Sequence, residues 1–221
     1  MKQLLLFAIF LIITFNSYSQ NQLVINGKVD GKTDGTIYLY NWTGEKPLKI
    51  DSATISGGTF SFNKTVPIPA VYFLTIVKSK TPIFLFPETE PMSVSLQVDP
   101  LNGKVNSFTV SAGTTQKAYS TYSQAYKNLY DDYMILTGDY EKARSDKNDA
   151  TMKSQNEKML AKEKAMSDLE LKMIDDNTDN ILSLFFICNK YQKTDPGTAK
   201  AKLAKVSSHL QSSELYKHLN K

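Results

Sequence analysis

A single cysteine, Cys188, and two histidines, His209 and His218, hold most of the nucleophilic and metal-binding potential of this 221-residue chain. Cys188 lies in the run ILSLFFICNKYQK, where Ile181, Leu184, Phe185 and Cys188 fall at i, i+3, i+4 and i+7 and form one helical stripe. Leu182 and Phe186 widen the stripe, so this helix is predicted to be buried over most of its girth. A reactive cysteine needs partly exposed, electropositive ground that favours thiolate, whereas an apolar surround raises the thiol pKa. Cys188 therefore reads as a buried structural thiol. The histidines stand nine residues apart near the C-terminus, and neither His-x3-His nor Cys-x2-Cys spacing occurs. They are predicted to be solvated or to cap helix ends, and no metal, cofactor or catalytic residue is expected. Gly-x-Ser-x-Gly elbows and Gly-rich phosphate loops with a lysine are both missing from the sequence.

The paired carboxylates Asp131 with Asp132 and Asp175 with Asp176 do not converge, because neighbours on a helix point about 100° apart. Tyr119, Tyr122, Tyr126, Leu129, Tyr133, Leu136 and Tyr140 step by three and four, the spacing of one helix face. Each phenol wants a hydrogen-bond partner at its rim. The stripe is predicted to pack against a second helix or the β-rich half rather than to line a ligand groove. Tyr38, Tyr40 and Trp42, at alternate positions of one short run, are predicted to point outward together and are the candidate interaction surface.

Two kinds of element must position these groups. From Leu23 to Val110 apolar residues recur every second position in eight short runs, from LVINGKV and TIYLYN to MSVSLQV and VNSFTVS. Turn chemistry separates them, as in the SGG at 56 and the DPLNG at 99. With no helix between them, they predict an antiparallel β-sandwich or open barrel over residues 20–112. After Gly113 the period becomes helical. The tyrosine stripe and a second stretch with Met152, Met159, Met166 and Met173 predict a helical hairpin turning at ARSDKND. A helix opening near Thr178, another with Asp195 as cap and Pro196 at its first position, and a short C-terminal piece complete residues 113–221. The expected class is α+β, with a β-sandwich first and an α-helical region after it.

Residues 1–19 have the order of a secretory signal: Lys2, an apolar run from Leu4 to Phe15, then Ser17 and Ser19. The run spans about 18 Å as helix against a bilayer core of roughly 30 Å, so cleavage between Ser19 and Gln20 is expected rather than an anchor. The expected location is periplasmic or secreted, with no membrane span in the mature chain. The formal net charge is +4, and neither half has the basic excess that nucleic-acid binding needs. One cysteine allows no internal disulfide, so the fold must stand on its apolar core.

The runs LVINGKVDGKTDGTIYLYN and IDSATISGGTFSFNKTVPIPAVYFLTI resemble the DUF4369 domain of exported Bacteroidetes proteins. The likeness rests on a strand-Gly-x-Val start, an Asp-Ser step and a Gly-x-Phe-x-Phe strand. In many relatives a helical segment similar to IDDNTDNILSLFFICNKYQK follows, then a thioredoxin-like domain of the thiol:disulfide interchange type. Here the sequence ends at Lys221 without a Cys-x-x-Cys, and Cys188 has no cysteine three residues away, so no redox-active residue carries over. The expectation is a non-catalytic binding or positioning module of the cell envelope with an envelope protein as partner. The alternative is a shortened member of a thiol:disulfide interchange system, or one that works beside a separate thioredoxin-like chain.

Overall fold

The computed structural model describes residues 20–31, 34–76 and 81–221. Its strands are β1 (Gln20–Asp30), β2 (Asp34–Trp42), β3 (Leu48–Ser56), β4 (Thr59–Pro67), β5 (Val71–Ile76), β6 (Ile83–Leu85), β7 (Met92–Val98) and β8 (Val105–Ser111). Its helices are α1 (Thr114–Ser145), α2 (Asp149–Asp176), α3 (Ile181–Tyr191), α4 (Pro196–Leu203) and α5 (Glu214–Leu219), with a 3-10 turn at Ser208–Ser212. The α+β organisation holds, and each predicted strand run carries a strand.

The strands join in the order β6-β5-β2-β3-β4-β1-β7-β8 and curl nearly into a barrel. β3 touches β4 through one pair, Ser56 opposite Thr59, so two four-stranded halves splay apart there. The sheet is mixed rather than wholly antiparallel, because β1 runs parallel to β7, with Ile25 opposite Met92. Those two strands are distant in the chain, so no hairpin dictates their direction.

Alternation builds the inner core. Ile37 and Leu39 of β2, Phe60 and Phe62 of β4, and Met92, Val94 and Leu96 of β7 all point inward. The Gly-x-Val of β1 has a steric cause: Gly27 lies opposite Phe60, and a Cβ at Gly27 would come within 2.0 Å of that ring. A side chain there would expel the phenylalanine from the core.

β5 breaks the alternation. Val71, Tyr72, Phe73 and Leu74 are all buried, because the helical region covers the strand's outer face. Val71 and Phe86 join α3 in a second core, extended by Phe84, Tyr119 and Tyr122. Phe185 stands edge-on to Phe84 at 4.9 Å and to Phe86 at 5.3 Å, and Phe186 meets Tyr122 at 4.6 Å. Such pairs contribute about 0.5–1.5 kcal/mol each beyond their buried area.

α1 continues unbroken through Gly138, and the hairpin turns at Asp146–Asn148. Among the described residues no helix is long and apolar enough to cross a membrane.

Candidate functional site

Cys188 is buried in α3, and burial pushes its thiol up to about 11. Its Sγ donates to Gln192 Oε1 at 2.8 Å, one helical turn on. The Gln192 amide nitrogen meets His218 Nε2, and His218 Nδ1 lies 3.2 Å from Glu45 Oε1. One proton assignment satisfies the chain: thiol to amide oxygen, amide N–H to imidazole Nε2, imidazole Nδ1–H to carboxylate. Gly44, at φ +95°, packs over this chain, since a Cβ there would fall 2.4 Å from His218 Cδ2 and 3.1 Å from Cys188 Sγ. His218 is thus neither solvated nor a helix cap, contrary to the sequence reading, while His209 is exposed. Gln192 separates the imidazole from the thiol and leaves Cys188 as a protonated donor. The cluster ties α3 and α5 to the β2–β3 loop.

The tyrosine stripe is a packing face. Burial pushes the Tyr119 phenol up to about 12, and Tyr122 is raised by burial and then by Glu170. The carboxylate pairs diverge onto separate lysines: Asp131 to Lys127, Asp132 to Lys162 at 2.6 Å, Asp175 to Lys202 at 2.7 Å, and Asp176 to Lys172. Among the described residues no three His, Cys, Asp or Glu side chains gather as a metal site.

The candidate aromatic surface divides. Tyr38 is half-buried beneath Lys49 Nζ, 4.3 Å from the ring centre, and Tyr40 stacks on Phe73 at 5.0 Å. Trp42 instead packs against the second core beside α5, with its indole N–H unpartnered among the described residues. It belongs to the joint between sheet and helices. Ser19 lies outside the described residues, and Gln20, on the other side of the expected cleavage, begins β1.

One concave surface lies where the two end strands of the curled sheet fail to meet. At one end, β6 is three residues long and its free edge is satisfied by a side chain from α1. Gln116 Oε1 accepts from Phe86 N at 2.9 Å, and Gln116 Nε2 donates to Phe84 O at 3.4 Å. Its amide stands where a neighbouring strand's peptide group would stand. Glu88 fixes the start of α1: its carboxylate accepts from the backbone N–H of Thr114 and of Thr115, both at 3.0 Å, and from both hydroxyls. Burial works against the Glu88 charge, but the bonds from Thr115 and Thr114 prevail and hold its pKa below the usual value. Gly113 leaves the room, since a Cβ there would sit 1.8 Å from Glu88 Oε2.

At the other end, β8 is seven residues long and, among the described residues, pairs with β7 alone. No described main-chain group bonds to its outer edge. Between that edge and α1 runs a cleft of about 550 Å³. Residues 105–110 all line it, although side chains on a strand alternate in direction, so the strand's edge and not a face forms this wall. The opposite wall is a single face of α1, with Gln116, Tyr119, Ser123 and Lys127 at helical spacing. Of these, Tyr119 belongs to the stripe expected to pack rather than to line a ligand groove, and it does both here; the others were not flagged from sequence. Gln116 sits three residues before Tyr119 and has no local mark of a strand-edge role.

Residues 23–119 match the family described as Domain of unknown function (DUF4369). The match covers nearly all of the sheet and the first residues of α1, with both Glu88 and Gln116. No curated protein and no solved structure matches the chain.

Proposed function

We propose that this protein is a non-catalytic binding or positioning module of the cell envelope, exported by a cleaved signal over residues 1–19. The observation that carries this reading is the cleft between the β8 edge and α1, a concave surface that the described chain lines but does not fill. The internal use of Cys188 supports it: the thiol is protonated at neutral pH and committed to Gln192. Tyr38 and Tyr40, both half-buried on the outer face of β2, offer a second contact surface for an envelope protein partner. In the thiol:disulfide alternative, a thioredoxin-like partner supplies the exchanging pair.

The test is an insulin reduction assay with dithiothreitol on the purified protein, together with alkylation of Cys188. Turbidity should develop at the uncatalysed rate. Iodoacetamide should label the folded protein negligibly at pH 7.5 and increasingly as pH approaches about 11. Accelerated reduction, or rapid labelling at neutral pH, contradicts the reading.

A further inference from the structure

We infer that the cleft between β8 and α1 binds an extended polypeptide segment of a partner, which adds to the sheet as a strand on the open edge of β8. The inference rests on the binding-module reading and names the ligand class. Three observations set the occupant's form. The wall formed by residues 105–110 is an edge, so what it offers is a row of main-chain donors and acceptors, and an extended chain is the ligand that matches such a row. Both walls also have the same length. The strand wall covers about 17 Å at 3.3 Å per residue, and the helix wall from Gln116 to Lys127 covers about 17 Å at 1.5 Å per residue. That length holds roughly five extended residues.

The third observation is charge. Among the described lining residues Lys127 alone is charged, and its ammonium is already paired with Asp131. The others are hydroxyls, amides and apolar groups such as Ser107, Thr109, Ser123, Tyr119 and Val110. The central residues of the ligand are therefore uncharged, with alternate side chains turned toward Tyr119 and Ser123.

Two other concavities lack an open strand edge that faces a helix wall. The larger one, about 740 Å³, lies over β1, β7 and the ends of β3 and β4; β1 and β7 pair on both sides, β3 and β4 diverge from the single Ser56–Thr59 pair, and no helix residue lines it. The groove between α1 and α2 around Ala125 and Leu169 is walled by helices whose backbone is satisfied internally.

The probe is a phage-displayed library of random ten-residue peptides, selected on the purified chain and then synthesised free. Two variants block the cleft from opposite walls: Thr109→Pro on the edge and Ser123→Trp on the helix, each checked for native circular dichroism. A selected peptide should lose about tenfold or more in affinity for Ser123→Trp, the variant that leaves strand pairing untouched. N-methylation of its amides should weaken binding about tenfold at one set of alternate positions and little at the other, the signature of strand addition. Equal sensitivity at all positions, unaltered binding to both variants, or no enrichment overturns the inference. So does a dimer of the chain, seen by analytical ultracentrifugation, that either variant dissociates, because a second copy then covers the edge. Failure here with insulin reduction still uncatalysed leaves the binding-module reading standing, whereas catalysed reduction removes that reading itself.

Discussion

The two end strands of the sheet pose one physical problem and resolve it differently. β6 is short, its outer groups are taken by the Gln116 amide, and Phe84 within it and Phe86 just after it are packed by Tyr119 and Phe185. β8 is more than twice as long, mostly exposed, and its outer edge faces a cleft. An unpaired edge invites another chain, and folded proteins ordinarily shorten, cover or charge it. Here the first two devices are spent on β6, while β8 carries Asn106, Ser107, Phe108 and Thr109 with no charge among them. The difference marks β6 as part of the folding joint and β8 as the edge that the described residues leave open, the edge on which the proposed partner strand would add.

Breaking the closed edge should have the largest effect. Phe86 is fully buried between β6 and α3, so Phe86→Ala should cost about 3–5 kcal/mol in urea unfolding. Gln116→Ala leaves the buried Phe86 N–H without its acceptor and should cost about 1–3 kcal/mol. It should also open a second edge, detectable as concentration-dependent association in sedimentation. A loss under 0.5 kcal/mol with no association would make the Gln116 bonds incidental.

Much of this division was legible in the residues and some was not. Period-two runs such as Ile37 with Leu39, and Phe60 with Phe62, placed the strands because each has one face in the inner core. The change of period after Gly113 placed α1, and Asp195 with Pro196 placed α4, where Asp195 accepts from Thr198 N at 3.0 Å. The third helix starts at Ile181 with Asn180 as its cap, two residues after the Thr178 expected. The parallel β1–β7 pair, the role of Trp42 at the joint and the His218 contacts all depend on segments far apart in the chain. No local spacing records such meetings. Gln116 was missed for the same reason: its partners, Phe84 and Phe86, lie about thirty residues earlier.

Smaller effects sharpen the contrast. Glu88 holds α1, and through it Gln116, against β6. Its folded pKa is depressed, so its contribution is fully present above the ordinary carboxylate value and is lost as pH falls through the lowered folded value. Acidification across that window should loosen β6 before the inner core, and Glu88→Gln should cost about 1 kcal/mol at neutral pH while flattening that acid dependence. Thr109→Lys on the open edge should change stability by less than about 0.5 kcal/mol, because no described main-chain group bonds to that edge. A destabilisation as large as that of Gln116→Ala would mean that the β8 edge is internally committed too.

Residue-resolved native-state hydrogen exchange compares the two edges within one sample. The Phe86 amide should exchange as slowly as the amides of β5, and alternate amides of β8, those turned away from β7, should exchange orders of magnitude faster than their neighbours. Uniform protection along β8, or a Phe86 amide that exchanges as fast as the open edge, would contradict the account.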